Sequence, residues 1–242
     1  MITLTMRAPG KNALGIDLMQ TITKTLRDAA DSGRASGLRA PEAVFVTGAG
    51  DAFSAGLNLK EVASFDPKGM LHFLEVLEEM VDVLYNYPGP TIAWVNGHAI
   101  AGGCVVALAC DLRFVKIDPQ IRIGLNEVPL GLQFPPKTWR MVQRRLPAHT
   151  IDRVILEGAL FAPADARRLG LVDEVLENEG EARAHADRVA SAPRDAYATA
   201  KKSLRAGVLD ITAEEKKRFL DVAIPSWTSP ELKAKLAAVL KK

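Results

Sequence analysis

The residues with the most chemical capacity in this 242-residue sequence lie between Trp94 and Gly131, in WVNGHAIAGGCVVALACDLRFVKIDPQIRIGLNEVPLG. Gly102-Gly103 open an apolar helical run, and the first N–H groups of a helix have no partner within it. Such amides can hold an anion or a developing oxyanion. Glu127 stands among Ile, Leu, Val and Pro residues. A carboxylate in apolar surroundings takes a raised pKa and becomes a candidate proton carrier. A second stretch, GAGDAFSAGLNLKE (48–61), is glycine-rich and follows an apolar run. It lacks the GxGxxG spacing of a dinucleotide loop. It reads either as a plain connection or as a loop whose amides near Gly56 and Leu57 approach a ligand, with glycine permitting the approach.

Two backbone amides from separate strand-to-helix turns, aimed at one carbonyl oxygen, make an oxyanion hole. What such a hole lacks here is a nucleophile. Ser54 sits in FSAGL, which is not a GxSxG elbow, and no histidine is placed by sequence to activate it. With a carboxylate as the only obvious partner, proton abstraction α to a carbonyl fits better than acyl transfer. Taken alone, Glu127 is equally a salt-bridged or capping carboxylate, and Gly102-Gly103 a packing turn. His98 reads as a packed or exposed side chain.

The elements that must position these residues follow from periodicity. Ile2, Leu4 and Met6 alternate as a half-buried strand, and Leu14 to Leu26 recur at three and four as a helix to about Ala30. SGRASG (32–37) reads as a loop. AVFVTG (43–48), TIAWV (91–95) and LRFVK (112–116) are strands, with a further short one within 121–124 and a last one at LVDEVL (171–176). Helices cover Met70–Leu84, the apolar run at Cys104–Cys110, Pro136 to Arg145, a segment from about Thr150, and one opened by Pro163. Beyond the last strand everything is helical, with a capping box at Thr212–Glu215 and a helix start at Ser229-Pro230. Strands alternating with helices predict an α/β fold with mainly parallel strands.

Composition narrows the classes. A net charge of +2 gives no case for nucleic acid. The basic pairs Arg144-Arg145, Lys201-Lys202 and Lys241-Lys242 read as solvated surface. Cys104 and Cys110 read as small buried hydrophobes, and the four scattered histidines predict no metal site. No apolar run reaches the roughly 18 residues of a membrane span, and no signal peptide is legible, so the expected compartment is the cytoplasm.

KNAL, GDAFSAGLNLKE, VNGHAIAGGCVVALACDLR, IGLNEVPLG and LFAPADARRLGLVDEV, in this order, resemble the crotonase (enoyl-CoA hydratase/isomerase) superfamily over nearly the whole chain. The resemblance implies a spiral of repeated ββα units over residues 1–190. It also implies a C-terminal helical region over 191–242 used in forming a homotrimer or hexamer. It implies a thioester of CoA, or of the phosphopantetheine arm of an acyl carrier protein, as substrate, and no other cofactor. Matched residue by residue, it makes Leu57 and Gly102 the oxyanion donors and Glu127 the catalytic group. Ala55, Gly56, Asn58, Leu59 and Lys60 would line the thioester site, with Lys60 able to meet a CoA phosphate. Val105, Asn126 and Trp139 would shape the acyl pocket. Family members often open with a strand hairpin, of which Ile2–Met6 corresponds to the second strand.

Hydratases of this superfamily carry two glutamates, and the position of the first is Val105 here. One carboxylate with an apolar wall suits a 1,3-proton shift, as in the Δ3,Δ2-enoyl-CoA isomerases, better than activation of water. LGLQFPP also lacks the glycine-rich run that follows the second glutamate in many hydratases. The expected reaction is therefore isomerisation. The rivals are hydration, decarboxylation or thioester hydrolysis on the same scaffold, or a non-catalytic binding protein that has kept the fold.

Overall fold

A computed structural model gives residues 1–35 and 41–240. β1 (Ile2–Met6) leads into α1 (Pro9–Asn12), a single turn in which Gly10, Lys11 and Asn12 all have positive φ, at 71°, 58° and 58°. α2 (Ile16–Ala35), β2 (Val44–Gly48), β3 (Ala52–Ser54), α3 (Leu59–Ser64) and α4 (Pro67–Tyr85) follow. Then come β4 (Thr91–Val95), β5 (His98–Ile100), α5 (Gly102–Ala109), β6 (Leu112–Lys116), β7 (Ile123–Gly124), α6 (Glu127–Leu130) and α7 (Pro136–Arg145). α8 (Ile151–Glu157), α9 (Pro163–Arg168) and β8 (Glu174–Leu176) precede α10 (Glu179–Ala190), α11 (Arg194–Arg205), α12 (Ala213–Trp227) and α13 (Pro230–Val239).

The strands form two parallel sheets, one ordered β1-β2-β4-β6-β8 and one ordered β3-β5-β7. Each ββα unit sends its first strand to the large sheet and its second to the small one: β2 then β3, β4 then β5, β6 then β7. This is the expected crotonase spiral. The large sheet is apolar on both faces because both are covered. Alternate residues Val44, Val46, Ala93, Val95 and Val115 join the main core, while Phe45, Ile92, Trp94 and Phe114 meet Ala182 and Ala186 of α10. His185 of α10 lies 5.0 Å from the Phe114 ring.

Several expectations shift. α2 runs five residues past Ala30, through the first part of the expected SGRASG loop, and residues 36–40 lie outside the described residues. β3, β5 and α3 lie in stretches read as loop or as a lead-in to a helix. Three-residue strands such as AFS and HAI are too short to show a period. The last strand starts at Glu174, not Leu171, because Leu171 and Val172 are buried in the turn after α9.

The surface reading of the basic pairs also fails in part. Arg144 and Lys202 are exposed, but Lys201 is buried and Arg145 half-buried; Lys241-Lys242 lie outside the described residues. Lys201 Nζ donates to an Asp111 carboxylate oxygen at 2.8 Å, and the Arg205 guanidinium donates to the other. The Tyr197 hydroxyl and the Thr91 amide complete the acceptor's contacts, each at 2.8 Å. Arg145 caps the end of α5 through the carbonyls of Leu108, Cys110 and Asp111. These ties hold α11 against the strand edge that follows α5. Among the described residues, no helix is long and apolar enough to cross a membrane, and no cluster of His, Cys, Asp or Glu could hold a metal ion.

Removing one partner of such a buried cluster strands the others in low dielectric, at about 3–5 kcal/mol. Asp111→Ala should therefore lower the unfolding free energy by that order in urea denaturation. A loss below about 1 kcal/mol, the range of exposed ion pairs, would contradict the clamp.

Candidate active site

The small sheet brings three distant segments to one edge. β3 pairs with β5, and β5 pairs with β7, all parallel. Their C-terminal ends therefore point the same way. Leu57 lies three residues beyond β3, Gly102 two beyond β5, and Glu127 three beyond β7. Residues separated by 70 positions are thereby delivered to adjacent turns, and the C-terminal edge of parallel strands is the usual ligand side of such sheets.

The loop after β3 is pinned almost completely. The Ala55 amide donates to the Lys11 carbonyl at 3.0 Å, the Gly56 amide to Ser54 Oγ at 3.2 Å, and the Asn58 amide to the Leu14 carbonyl at 3.0 Å. The Gly56 carbonyl in turn accepts from the Leu14 amide at 2.7 Å. Among the described residues, the Leu57 N–H is the one amide of this run without an acceptor. It is half of the expected pair.

The other half is the Gly102 amide at the first turn of α5, where no intrahelical acceptor exists. The two segments touch. A Cβ built on Gly56 would lie 2.6 Å from the Ile100 carbonyl oxygen and 3.3 Å from the Gly102 nitrogen. A Cβ on Gly102 would lie 3.4 Å from the Leu57 nitrogen and 3.1 Å from the side chains of Leu14 and Leu57. A side chain at position 102 would thus crowd the Leu57 nitrogen and the Leu14 and Leu57 side chains. Ala101, between β5 and α5, takes φ 47° and ψ −118°. An alanine held there costs of order 1–3 kcal/mol and persists only where the surroundings enforce it. The Ala101 amide is fixed by the Gly124 carbonyl at 2.8 Å, which ties this turn to the strand leading to Glu127.

Glu127 opens α6 and is 7% exposed. Its Oε2 is buried with no hydrogen-bond partner, as is Asn126 Oδ1. Burial raises the carboxyl from 4.5 to about 8, and its own backbone amide offsets part of the rise. No neighbouring charge contributes to that shift. The Cys104 thiol on α5 is pushed up chiefly by its own burial and next by the Glu127 charge.

The remaining expected site residues are less uniform. Ala55 and Lys60 are exposed, and Leu59 is half-buried at the start of α3. The Asn58 side chain is committed to capping α3, accepting from the Lys60 and Glu61 amides. Val105 is 3% exposed within α5. Trp139 stands 5.8 Å from Phe134 and lines a surface groove with Phe219 and Val222. His98 accepts from the Arg122 amide through Nδ1. Two residues gain weight only from the structure, Asn12 and Ser54. The Asn12 side chain is 3% exposed and donates to the carbonyls of Ala49 and Ala52, both at 2.9 Å. Asparagine tolerates a left-handed backbone better than most residues, which was the legible signal.

The enoyl-CoA hydratase/isomerase family model matches residues 1–233. The chain belongs to the enoyl-CoA hydratase/isomerase family. Within that family it is 35% identical over 127 residues to human mitochondrial enoyl-CoA delta isomerase 1, covering 52% of this chain and 42% of that protein. The chain spans about half the length of the curated relatives it matches. By fold it is similar to human mitochondrial delta3-delta2-enoyl-CoA isomerase, with a TM-score of 0.88 at 24% identity over 99% of this chain and 92% of that one. It is also similar to an enoyl-CoA hydratase from Bacillus halodurans, with a TM-score of 0.82 at 23% identity over 98% and 95%.

The Glu127 shift has a stability consequence with a definite sign. Below about pH 4.5 the carboxyl is neutral in folded and unfolded chains, and its contribution is fully present. Between about 4.5 and 8 the unfolded carboxyl is ionised while the folded one stays neutral, so the folded chain binds more protons and stability falls as pH rises. The loss across the window is on the order of a few kcal/mol. Glu127→Gln removes it, so the variant should gain on the wild type steadily from pH 4.5 to pH 8 in urea denaturation. A pH-independent difference would contradict the buried, neutral carboxyl.

Proposed function

We propose that this protein is a Δ3,Δ2-enoyl thioester isomerase. The observation that carries the reading is Glu127: a buried carboxyl with an unpartnered oxygen and a raised pKa, with no second charge acting on it. It lies at the same sheet edge as two donors without acceptors. The thioester oxygen accepts from the Leu57 and Gly102 amides. Ionised Glu127 takes a proton from C2 of a 3-enoyl thioester, and the negative charge delocalises to the thioester oxygen as a dienolate. The same carboxyl then returns the proton to C4, and the double bond moves into conjugation with the carbonyl. No water is consumed, and no atom leaves the substrate. Val105 in place of a second carboxylate keeps the wall apolar, which protects the dienolate from quenching.

The carrier is CoA or the phosphopantetheine arm of an acyl carrier protein, which share the reacting thioester. Lys60, exposed beside the donor loop, is the proposed contact for a phosphate of the carrier. A homotrimer or hexamer formed through the C-terminal helices belongs to the same proposal. Hydration is the second reading, because the family model that matches the chain covers hydratases and isomerases alike. Incubation with a 2-enoyl-CoA and assay for the 3-hydroxyacyl product separates the two.

Two outcomes are expected. Glu127→Gln should abolish conversion of a 3-enoyl thioester to the conjugated 2-enoyl form, followed by the absorbance of the conjugated product; retained turnover would overturn the mechanism. Because the base must be ionised in the free enzyme, kcat/KM should rise about tenfold per pH unit below roughly pH 8 and level off above it. A flat profile from pH 6 to about 9 would show that another group moves the proton.

A further inference from the structure

Ser54 is fully buried and has no nucleophilic role in the proposed reaction. Its hydroxyl nevertheless occupies a central position in the donor loop. Ser54 Oγ donates to the Asn12 carbonyl at 2.8 Å and accepts the Gly56 amide at 3.2 Å. The Asn12 carbonyl belongs to the left-handed turn Gly10–Asn12, whose φ values of 71°, 58° and 58° are costly for Lys11 in particular. That turn is locked from the other side, since the Asn12 side chain reaches back to the carbonyls of Ala49 and Ala52 that flank and open β3. Ser54 thus closes a ring: Asn12 holds the entry to β3, and the end of β3 holds Asn12.

The consequence falls on Leu57. Its neighbours on both sides are fixed through residues 11 and 14, by the Ala55 amide to Lys11 and the Asn58 amide to Leu14. Gly56 has φ 90°, a conformation open to many alternatives in glycine. Of the amides from Ala55 to Asn58, only that of Gly56 is held by a side chain and not by a carbonyl. The Leu57 N–H shares its peptide plane with the Gly56 carbonyl, which accepts the Leu14 amide at 2.7 Å, while the Ser54 hydroxyl fixes the plane just before it, so the two bonds together set the aim of that donor.

We infer that Ser54 is a positioning residue for the Leu57 oxyanion donor, acting through the Gly56 amide and the left-handed turn at Asn12. It does not touch the substrate. The inference rests on the proposed isomerase reading, because it assigns to Ser54 the aim of a donor that this reading uses.

Removing a whole oxyanion donor costs on the order of 10²–10³ in rate, and a misaimed donor loses part of that. Ser54→Ala should lower kcat at least about tenfold while KM for the 3-enoyl thioester changes less than about threefold, since the donor matters most once charge develops. The position of the pH–rate limb should stay where Glu127 sets it. Ser54→Cys, which keeps a weak acceptor and donor of similar size, should recover part of the lost kcat. Thermal unfolding checks that each variant is folded, and Ser54→Cys carries the test if Ser54→Ala is not.

The deciding readout is the carbonyl stretch of a bound saturated acyl-CoA labelled with ¹³C at the thioester carbon. Hydrogen bonds from the two amides should shift it to lower frequency in wild type and by less in Ser54→Ala. An equal shift in a folded Ser54→Ala protein, or an equal loss in kcat and in affinity, would overturn the positioning role while leaving the isomerase reading intact. A wild-type protein that binds the thioester without any shift would overturn that reading, and this inference with it.

Discussion

The contact between Gly56 and Gly102 constrains everything around it. Two backbone segments approach so closely that a Cβ on the first would stand 2.6 Å from the Ile100 carbonyl oxygen, and one on the second 3.4 Å from the Leu57 nitrogen. Such an approach brings the Leu57 and Gly102 backbone nitrogens into neighbouring turns, and neither N–H has an acceptor among the described residues. It is possible only because β3 and β5 are paired in the small sheet, which sets the spacing of the turns that leave them. It also demands an unusual backbone on each side, φ 90° at Gly56 and φ 47° at Ala101. The large sheet, the α10 cover and the Asp111 clamp hold the frame rigid enough to sustain that local strain.

Glu127 is held by the opposite logic. The donors are fixed by a dense set of hydrogen bonds, whereas one carboxylate oxygen is left with none. A buried carboxyl without a partner relieves its cost by taking a proton, which moves its pKa to about 8. A proton carrier near neutral pH results from burial alone. The C-terminal helix links the elements around it. Lys233 of α13 donates to the Phe65 carbonyl at the end of α3, and Lys235 to the Pro129 carbonyl in α6. One helix thus ties together the element that follows the donor loop and the element that carries Glu127.

Much of this was legible in the sequence, and the residues show why. The five-residue strands and the helices of α2, α4 and α7 have enough length to display a period, and the caps at Thr212 and Ser229 are as expected. Glu127 stood out because a charge among apolar residues is rare. The donor at Gly102 was marked by a glycine pair opening a helix. β3 and β5 were not legible, since three residues carry no pattern, and with them went the reason why Leu57 meets Gly102. Asn12 and Ser54 were hidden for a different cause. Their roles are hydrogen bonds across about 40 residues, which leave no trace in local spacing. Lys201 and Arg145 read as surface because charge alone reveals neither a buried carboxylate partner, Asp111 for Lys201, nor a set of carbonyls at a helix end, those of Leu108, Cys110 and Asp111 for Arg145.

The central claim is that one enclosed carboxyl carries a single proton from C2 to C4 of a thioester held by two amides. The most direct test is the fate of deuterium placed at C2 of a 3-enoyl thioester, read by mass spectrometry and NMR of the 2-enoyl product. Transfer by one shielded carboxyl places a measurable part of the label at C4 and brings no solvent oxygen into the product. Label found wholly in the solvent, or a product carrying an oxygen from water, would contradict the account.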